Sequence, residues 1–168
     1  MNIRIADIID ESIVDGPGFR MSVFVQGCSH RCEGCHNAQT WDFDGGHIET
    51  VENIVQRFNK NPLLDGVTIT GGEPFDQASA SAHLAKQIKD LGKTVVTYSG
   101  YCFEELMEKS KTDPGIKTLL DNTDILVDGE FKLQLRSLDL DWRGSSNQRV
   151  IDVKKSIETG NIVIVKPE

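Results

Sequence analysis

No stretch of this sequence comes near the about 18 consecutive apolar residues that a membrane-spanning helix requires, so no span is expected. Positive charge is also scarce. Eighteen Lys and Arg stand against 26 Asp and Glu, a net charge of −8. Affinity for nucleic acid comes largely from basic side chains, so no nucleic-acid partner is expected. The same deficit argues against anchoring on an anionic membrane surface. The opening residues Met1–Asp7 lack the basic-then-apolar layout of a secretory signal, and a cytoplasmic location is expected. Four cysteines in 168 residues are too few to staple a secreted scaffold. Repeats, low-complexity tracts and Pro/Ser-rich linkers are missing, so residues 1–168 are expected to form a single domain.

The chain does hold an uneven distribution of thiols. Cys28, Cys32 and Cys35 fall within eight residues, while Cys102 stands alone. In a protein without a disulfide framework, such a cluster reads as a metal or redox site. It follows directly on Met21-Ser22-Val23-Phe24-Val25-Gln26, a short β-branched run that predicts a strand. Further strands are predicted at Ile3–Ile5, Gly66–Thr70, Thr94–Tyr98 and Ile125–Val127. Val51, Ile54, Val55 and Phe58 recur at i, i+3, i+4 and i+7, one face of a helix. A second helix is expected over Ala80, Leu84, Ile88 and Leu91, capped by Asp76 and closed by Gly92. Short helices are marked by Phe103, Leu106 and Met107 and by Ile116, Leu119 and Leu120.

Strands alternating with helices imply right-handed βαβ units. A complete eight-fold barrel needs about 250 residues, so the expected fold class is α/β: an incomplete (β/α) barrel or an open, mostly parallel sheet with helices on the outer face. From about residue 129 the pattern becomes irregular. Val150–Val153 and Ile162–Val165 are expected to be short strands in a hairpin or an edge extension.

The thiol loop is Cys-x3-Cys-x2-Cys. Thiolates ligate zinc and iron–sulfur clusters. A structural zinc site wants four closed ligands, and no second cysteine pair is present, although His30 or His36 could supply a fourth. A four-iron cluster on three thiolates leaves one iron open for a substrate or cofactor. Gly71 and Gly72 end a strand, where missing side chains allow close approach of a ligand. Glu73 adds a carboxylate able to accept from an ammonium group. Both loops are expected at the carboxyl ends of parallel strands, where α/β folds build their sites.

These features resemble the radical S-adenosylmethionine enzymes, whose cluster motif is Cys-x3-Cys-x2-Cys. Many members carry an aromatic residue where this chain has Gly34; glycine there is familiar in a subgroup of activating enzymes. Asp15-Gly16-Pro17-Gly18-Phe19-Arg20 resembles a segment of glycyl-radical activating enzymes, and Thr70-Gly71-Gly72-Glu73-Pro74 resembles the motif that holds the methionyl amino group. Val127-Asp128-Gly129-Glu130-Phe131 and Arg143-Gly144-Ser145-Ser146-Asn147-Gln148-Arg149 resemble segments of the proteins that activate anaerobic ribonucleoside-triphosphate reductases.

The resemblance implies a single radical S-adenosylmethionine domain with an irregular extension from about residue 129. It implies one [4Fe-4S] cluster on Cys28, Cys32 and Cys35, and S-adenosyl-L-methionine contacted by Gly34, Cys35, His36, Gly71, Gly72, Glu73 and Asp128. The backbone of His36 would border the adenine, and Asp128 the ribose or methionyl end. No side chain acts as acid or base. The implied reaction is reductive cleavage of the cofactor, followed by removal of a hydrogen atom from a glycine Cα of the reductase's catalytic subunit. An electron donor such as flavodoxin or ferredoxin is implied as a second partner. The target could instead be another glycyl-radical enzyme such as a pyruvate formate-lyase. A different class also stays open, a zinc-stabilised binding module.

The remaining candidates are read more plainly. His30, His47 and His83 are expected to be ordinary surface or half-buried residues, and Cys102 a small buried hydrophobe. Trp41 and Trp142 are expected to pack. The Asp15–Gly18 turn is expected to face a partner, with Arg20 positioning it; Arg136, Arg143 and Arg149 would either meet an acidic partner surface or sit in solvated turns.

Overall fold

The structure is a computed structural model and describes residues 1–166. Among these, seven strands form one sheet: β1 (Asn2–Ser12), β2 (Arg20–Val25), β3 (His47–Thr50), β4 (Gly66–Gly71), β5 (Thr94–Tyr98), β6 (Ile125–Asp128) and β7 (Arg149–Asp152). Their order across the sheet is β3-β1-β2-β4-β5-β6-β7. The central strands β2, β4, β5 and β6 are parallel, while β1 and β7 run antiparallel to their neighbours on the two flanks. The sheet is open and mostly parallel, as expected for the α/β class.

Helices α1 (Val51–Asn59), α2 (Ala78–Asp90), α3 (Phe103–Ser110), α4 (Pro114–Asp121) and α5 (Val153–Thr159) cover one face. Each begins where local chemistry favours it. The Thr50 hydroxyl accepts from Asn53 N at 3.1 Å to start α1, and Asp113 accepts from Gly115 N at 2.9 Å with Pro114 at the first helical position of α4. Strand alternation sets the layers. Met21, Val23, Val25, Val67, Ile69, Val95, Leu126 and Ile151 join the core beneath Ile54, Phe58, Leu84, Ile88, Leu106 and Leu119.

The C-terminal part differs from the sequence expectation. Between Gly129 and Gln148 the regular structure is a 3-10 turn, Leu133–Leu135. Arg149–Asp152 does extend the sheet, but Asp152 then accepts from Lys155 N at 3.0 Å and starts α5. A tight hairpin is thereby excluded, but the chain returns after α5 and pairs antiparallel with β7: Asp152 N donates to Val163 O at 2.9 Å and Val165 N to Val150 O at 2.8 Å, about the Ile151–Ile164 bridge. Asp76 also departs from its expected capping role. It lies inside a 3-10 turn, Pro74–Gln77, and Gln77 occupies the cap of α2. No helix is long and apolar enough to cross a membrane among the described residues.

The helix-free face carries Arg20, Ser22 and Phe24 from β2, beside Thr68 and Thr70 from β4 and Val96 and Tyr98 from β5. Arg20 is 1% exposed, yet it forms five hydrogen bonds. Nε reaches the Thr68 hydroxyl at 2.9 Å, and the terminal nitrogens reach Pro17 O, Val67 O, and both the hydroxyl and the carbonyl of Thr94. A guanidinium has five N–H donors, so none is left unpaired. Burial pulls its pKa down to about 10, so the group stays charged at neutral pH. Asp15 completes the turn, accepting from the hydroxyls of Ser12 and Ser22 at 3.1 and 2.8 Å. Replacing Arg20 by Met should therefore strand several buried acceptors and cost about 3 kcal/mol. Arg20→Lys should recover only part of that, because three donors on one nitrogen cannot reach five acceptors. Urea unfolding of the two variants, compared at constant m-value, checks this.

Candidate functional site

The site forms where the chain leaves β2 and β4. Gly72 N donates to Val25 O and Glu73 N to Gly27 O, both at 2.8 Å, so the two loops are joined backbone to backbone. A Cβ at Gly72 would lie 2.3 Å from Gly27 O, and one at Gly71 (φ +93°) 2.7 Å from the Phe24 Cα. The room these glycines leave on their Cβ side is thus filled by the neighbouring strand, while both residues also line the cavity beyond.

Glu73 is fully buried and gathers four donors: Phe75 N, the Ser99 hydroxyl, Gly100 N and His30 Nε2. The His30 contact measures 2.7 Å, and that ring packs edge-on against Tyr101 with centroids 4.4 Å apart. An ionised carboxylate can only accept, so Nε2 carries the proton. Burial alone would lower the His30 pKa, but the hydrogen bond and charge of Glu73, together with the charges of Glu130 and Asp76, raise the value. Asp76 accepts from Ser29 N at 3.0 Å and from the Tyr101 hydroxyl at 2.8 Å, fastening the first residues of the thiol loop. From sequence, His30 reads as a fourth zinc ligand or an ordinary histidine, Asp76 as a helix cap, and Tyr101 has no assigned role; the structure brings all three to the base of the thiol loop. Of the three, only His30 had a signal, its place between the first two cysteines.

Cys28, Cys32 and Cys35 are unpaired and line one cavity of ≈ 570 Å³ with His36, Gly71, Gly72 and Glu73. Burial raises the Cys28 thiol, and burial together with the Glu130 carboxylate pushes Cys32 up to about 11. Such thiols become thiolates when a metal binds. No three Cys, His, Asp or Glu side chains converge on a single metal-ion position among the described residues. A cubane cluster asks for a different arrangement, one thiolate on each of three irons, with the fourth iron open. Three soft thiolates facing a common cavity fit that demand by donor chemistry.

The other expected residues divide. His36 lines the cavity and tilts against Phe131, with centroids 5.3 Å apart. Gly34 lies on the outer side of the loop, at φ +73°. A Cβ there would come within 2.8 Å of Leu133, which accounts for a glycine at this place. Asp128 is not brought into the cavity. It accepts from Phe103 N at 2.7 Å and pairs with Arg149, which also holds Glu104. Arg149 is thereby committed within the chain, while Arg143 lines the cavity wall. Cys102 is half-buried and caps α3, its backbone N donating to Glu105 at 3.1 Å.

An α/β sheet that presents three free thiols on a strand-end loop, against a second loop of glycines, has the donor set of a single-cluster iron–sulfur protein. A family model described as a 4Fe-4S single cluster domain matches residues 14–151. The anaerobic ribonucleoside-triphosphate reductase-activating protein of Vibrio cholerae is 35% identical over 144 residues, covering 81% of this chain and 89% of that protein. The proteins of the same name from Enterobacteria phage T4 and Escherichia coli are 33% and 34% identical, covering 82% of this chain in each case and 86% and 91% of their own. The chain belongs to the family of anaerobic ribonucleoside-triphosphate reductase-activating proteins, within the 4Fe-4S single cluster domain family. A solved structure, QueE from Escherichia coli, overlaps 60% of this chain and 53% of its own at 17% identity and a TM-score of 0.46, too distant to bear on either fold or function.

The double glycine provides a test of the loop junction. Gly72→Ala should cost more stability than Gly92→Ala, because Gly92 (φ +77°) has nothing within 4 Å of an added Cβ. The Gly92 variant should lose only the about 1–2 kcal/mol of left-handed strain. Thermal melts of both, with iron retention measured after reconstitution, check the order: only Gly72→Ala should lower retention.

Proposed function

We propose that this protein activates an anaerobic ribonucleoside-triphosphate reductase, using S-adenosyl-L-methionine at a [4Fe-4S] cluster. The observation that carries this reading is the opening of three unpaired thiols and the Gly71-Gly72-Glu73 turn onto one cavity. The names of its relatives support the same reaction. When bound, the cluster and its cofactor supply one-electron cleavage of the sulfonium and removal of a hydrogen atom from a glycine of the reductase.

The chain's own residues would bind, orient and shield. Cys28, Cys32 and Cys35 would hold the cluster and leave one of its irons open to the cofactor. The backbone of Gly71 and Gly72 meets the methionyl end, since the Glu73 carboxylate is already filled by four donors. His36 and Phe131 offer an aromatic wall for the adenine. Asp128 acts at one remove, tying α3 to β7 beneath the Gly129 wall. Val14 and Leu138 line the cavity and are 68% and 91% exposed, so a segment of the reductase completes the enclosure. A flavodoxin or ferredoxin supplies the electron.

Anaerobic reconstitution with iron and sulfide, followed by electron paramagnetic resonance with reductant, cofactor and reductase, tests the reading. A glycyl doublet on the reductase is expected. Cys28→Ala, Cys32→Ala and Cys35→Ala should each abolish both cluster and doublet, whereas Cys102→Ala should keep both. A colourless protein that takes zinc instead of a cluster would refute the proposal. Cofactor cleavage as fast without the reductase as with it would refute the shared enclosure.

A further inference from the structure

The thiol loop and the glycine turn follow different strands, yet the cluster and its cofactor must meet with their geometry fixed. The backbone bonds of Gly72 and Glu73 to Val25 and Gly27 fix the roots of the two loops. They do not reach the loop that carries Cys32 and Cys35. Asp76 fastens the first of its residues through Ser29 N, and one side chain within the loop reaches back to Glu73. His30 lies midway between Cys28 and Cys32, its ring is 9% exposed, and Nε2 is 2.7 Å from Glu73 Oε1. The ring is held on a second side by Tyr101. A third side is closed by Gly100, where a Cβ would lie 2.6 Å from the His30 Cδ2. The absence of a side chain at residue 100 therefore makes the space in which this histidine sits.

We propose that His30 is a positioning residue that couples the cluster loop to the cofactor-binding turn through Glu73, setting how tightly S-adenosylmethionine engages a cluster that forms without it. The inference rests on the function proposed above. His30 borders the same cavity as the thiols, and its proposed action runs through Glu73 and through the direction in which the Cys28–Cys32 segment leaves β2. A coupling of this kind is worth about tenfold in affinity, within the usual range for linked sites.

The test uses reconstituted full-length protein and two readouts besides turnover: the equilibrium dissociation constant for S-adenosylmethionine, and the change it causes in the electron paramagnetic resonance spectrum of the reduced cluster. His30→Ala should keep its iron content, bind the cofactor about tenfold more weakly, and show a smaller spectral change. His30→Gln, which keeps an N–H near Glu73, should recover most of both. Gly100→Ala should reproduce the His30→Ala defect by displacing the ring. In the His30→Ala background the same Gly100→Ala change should add little, because nothing remains to clash with. A His30→Ala protein that matches wild type in both readouts overturns the proposal. So does loss of the cluster in both His30 variants, and so does a Gly100→Ala effect that persists without the imidazole. A wild-type protein whose spectrum ignores the cofactor overturns the underlying function instead, and is distinguished by that control.

Discussion

One buried carboxylate holds the site together. Glu73 has no exposure, so its charge would be costly without partners. It finds four donors, and they come from separate parts of the chain: Phe75 in its own turn, Ser99 and Gly100 after β5, and His30 in the thiol loop. The ends of three parallel strands are therefore tied at one point. Removing a donor leaves part of a buried charge unanswered, which is why the arrangement acts as a unit. The residue that sequence reading assigned to a ligand's ammonium group is spent on its own fold. The backbone of Gly71 and Gly72 lines the cavity beside it.

Legibility in the sequence follows the range of the interaction. Strands β2, β4, β5 and β6 and the face of α1 arise from periodicity within a few residues, and the structure places them as expected, whereas β3 (His47–Thr50), a short edge strand of mixed composition, carries no such pattern. The thiol spacing is equally local. Asp76 shows the limit. An aspartate ahead of an amphipathic run looks like a helix cap, yet its carboxylate reaches Ser29, 47 residues earlier, and Tyr101, 25 residues later. No pattern of spacing encodes such partners. His30 is similar, since its meaning comes from Glu73, 43 residues away. Asp128 shows the converse. Motif position suggested a ligand contact, while the folded chain turns the side chain onto Arg149 and the start of α3.

The C-terminal stretch failed for a different reason. Val150–Val153 and Ile162–Val165 have matched β-branched composition, which favours pairing. Asp152 intervenes with a capping hydrogen bond to Lys155 N, and a helix ending at Gly160 separates the two runs. The two runs still meet, Asp152 N donating to Val163 O and Val165 N to Val150 O, but the connection between them is a helix in place of a tight turn. Local capping and tertiary pairing compete at such points, and composition alone does not rank them.

The two faces of the sheet divide the labour. On the helix side, apolar runs supply the core and the stability of the parallel strands. On the other side, polar residues are kept in place by Arg20 and Asp15, whose bonds run across β2, β4 and β5. Asp15 also lines the cavity that holds the thiols, so the turn beneath the site and the site itself share a residue. Ile13 and Val14, 69% and 68% exposed, sit beside that aspartate at the surface. A partner pressing on this turn would press on a segment bonded through Arg20 to three strands whose far ends meet at Glu73. The outer turn and the thiol loop are thus joined through bonded strands of one sheet.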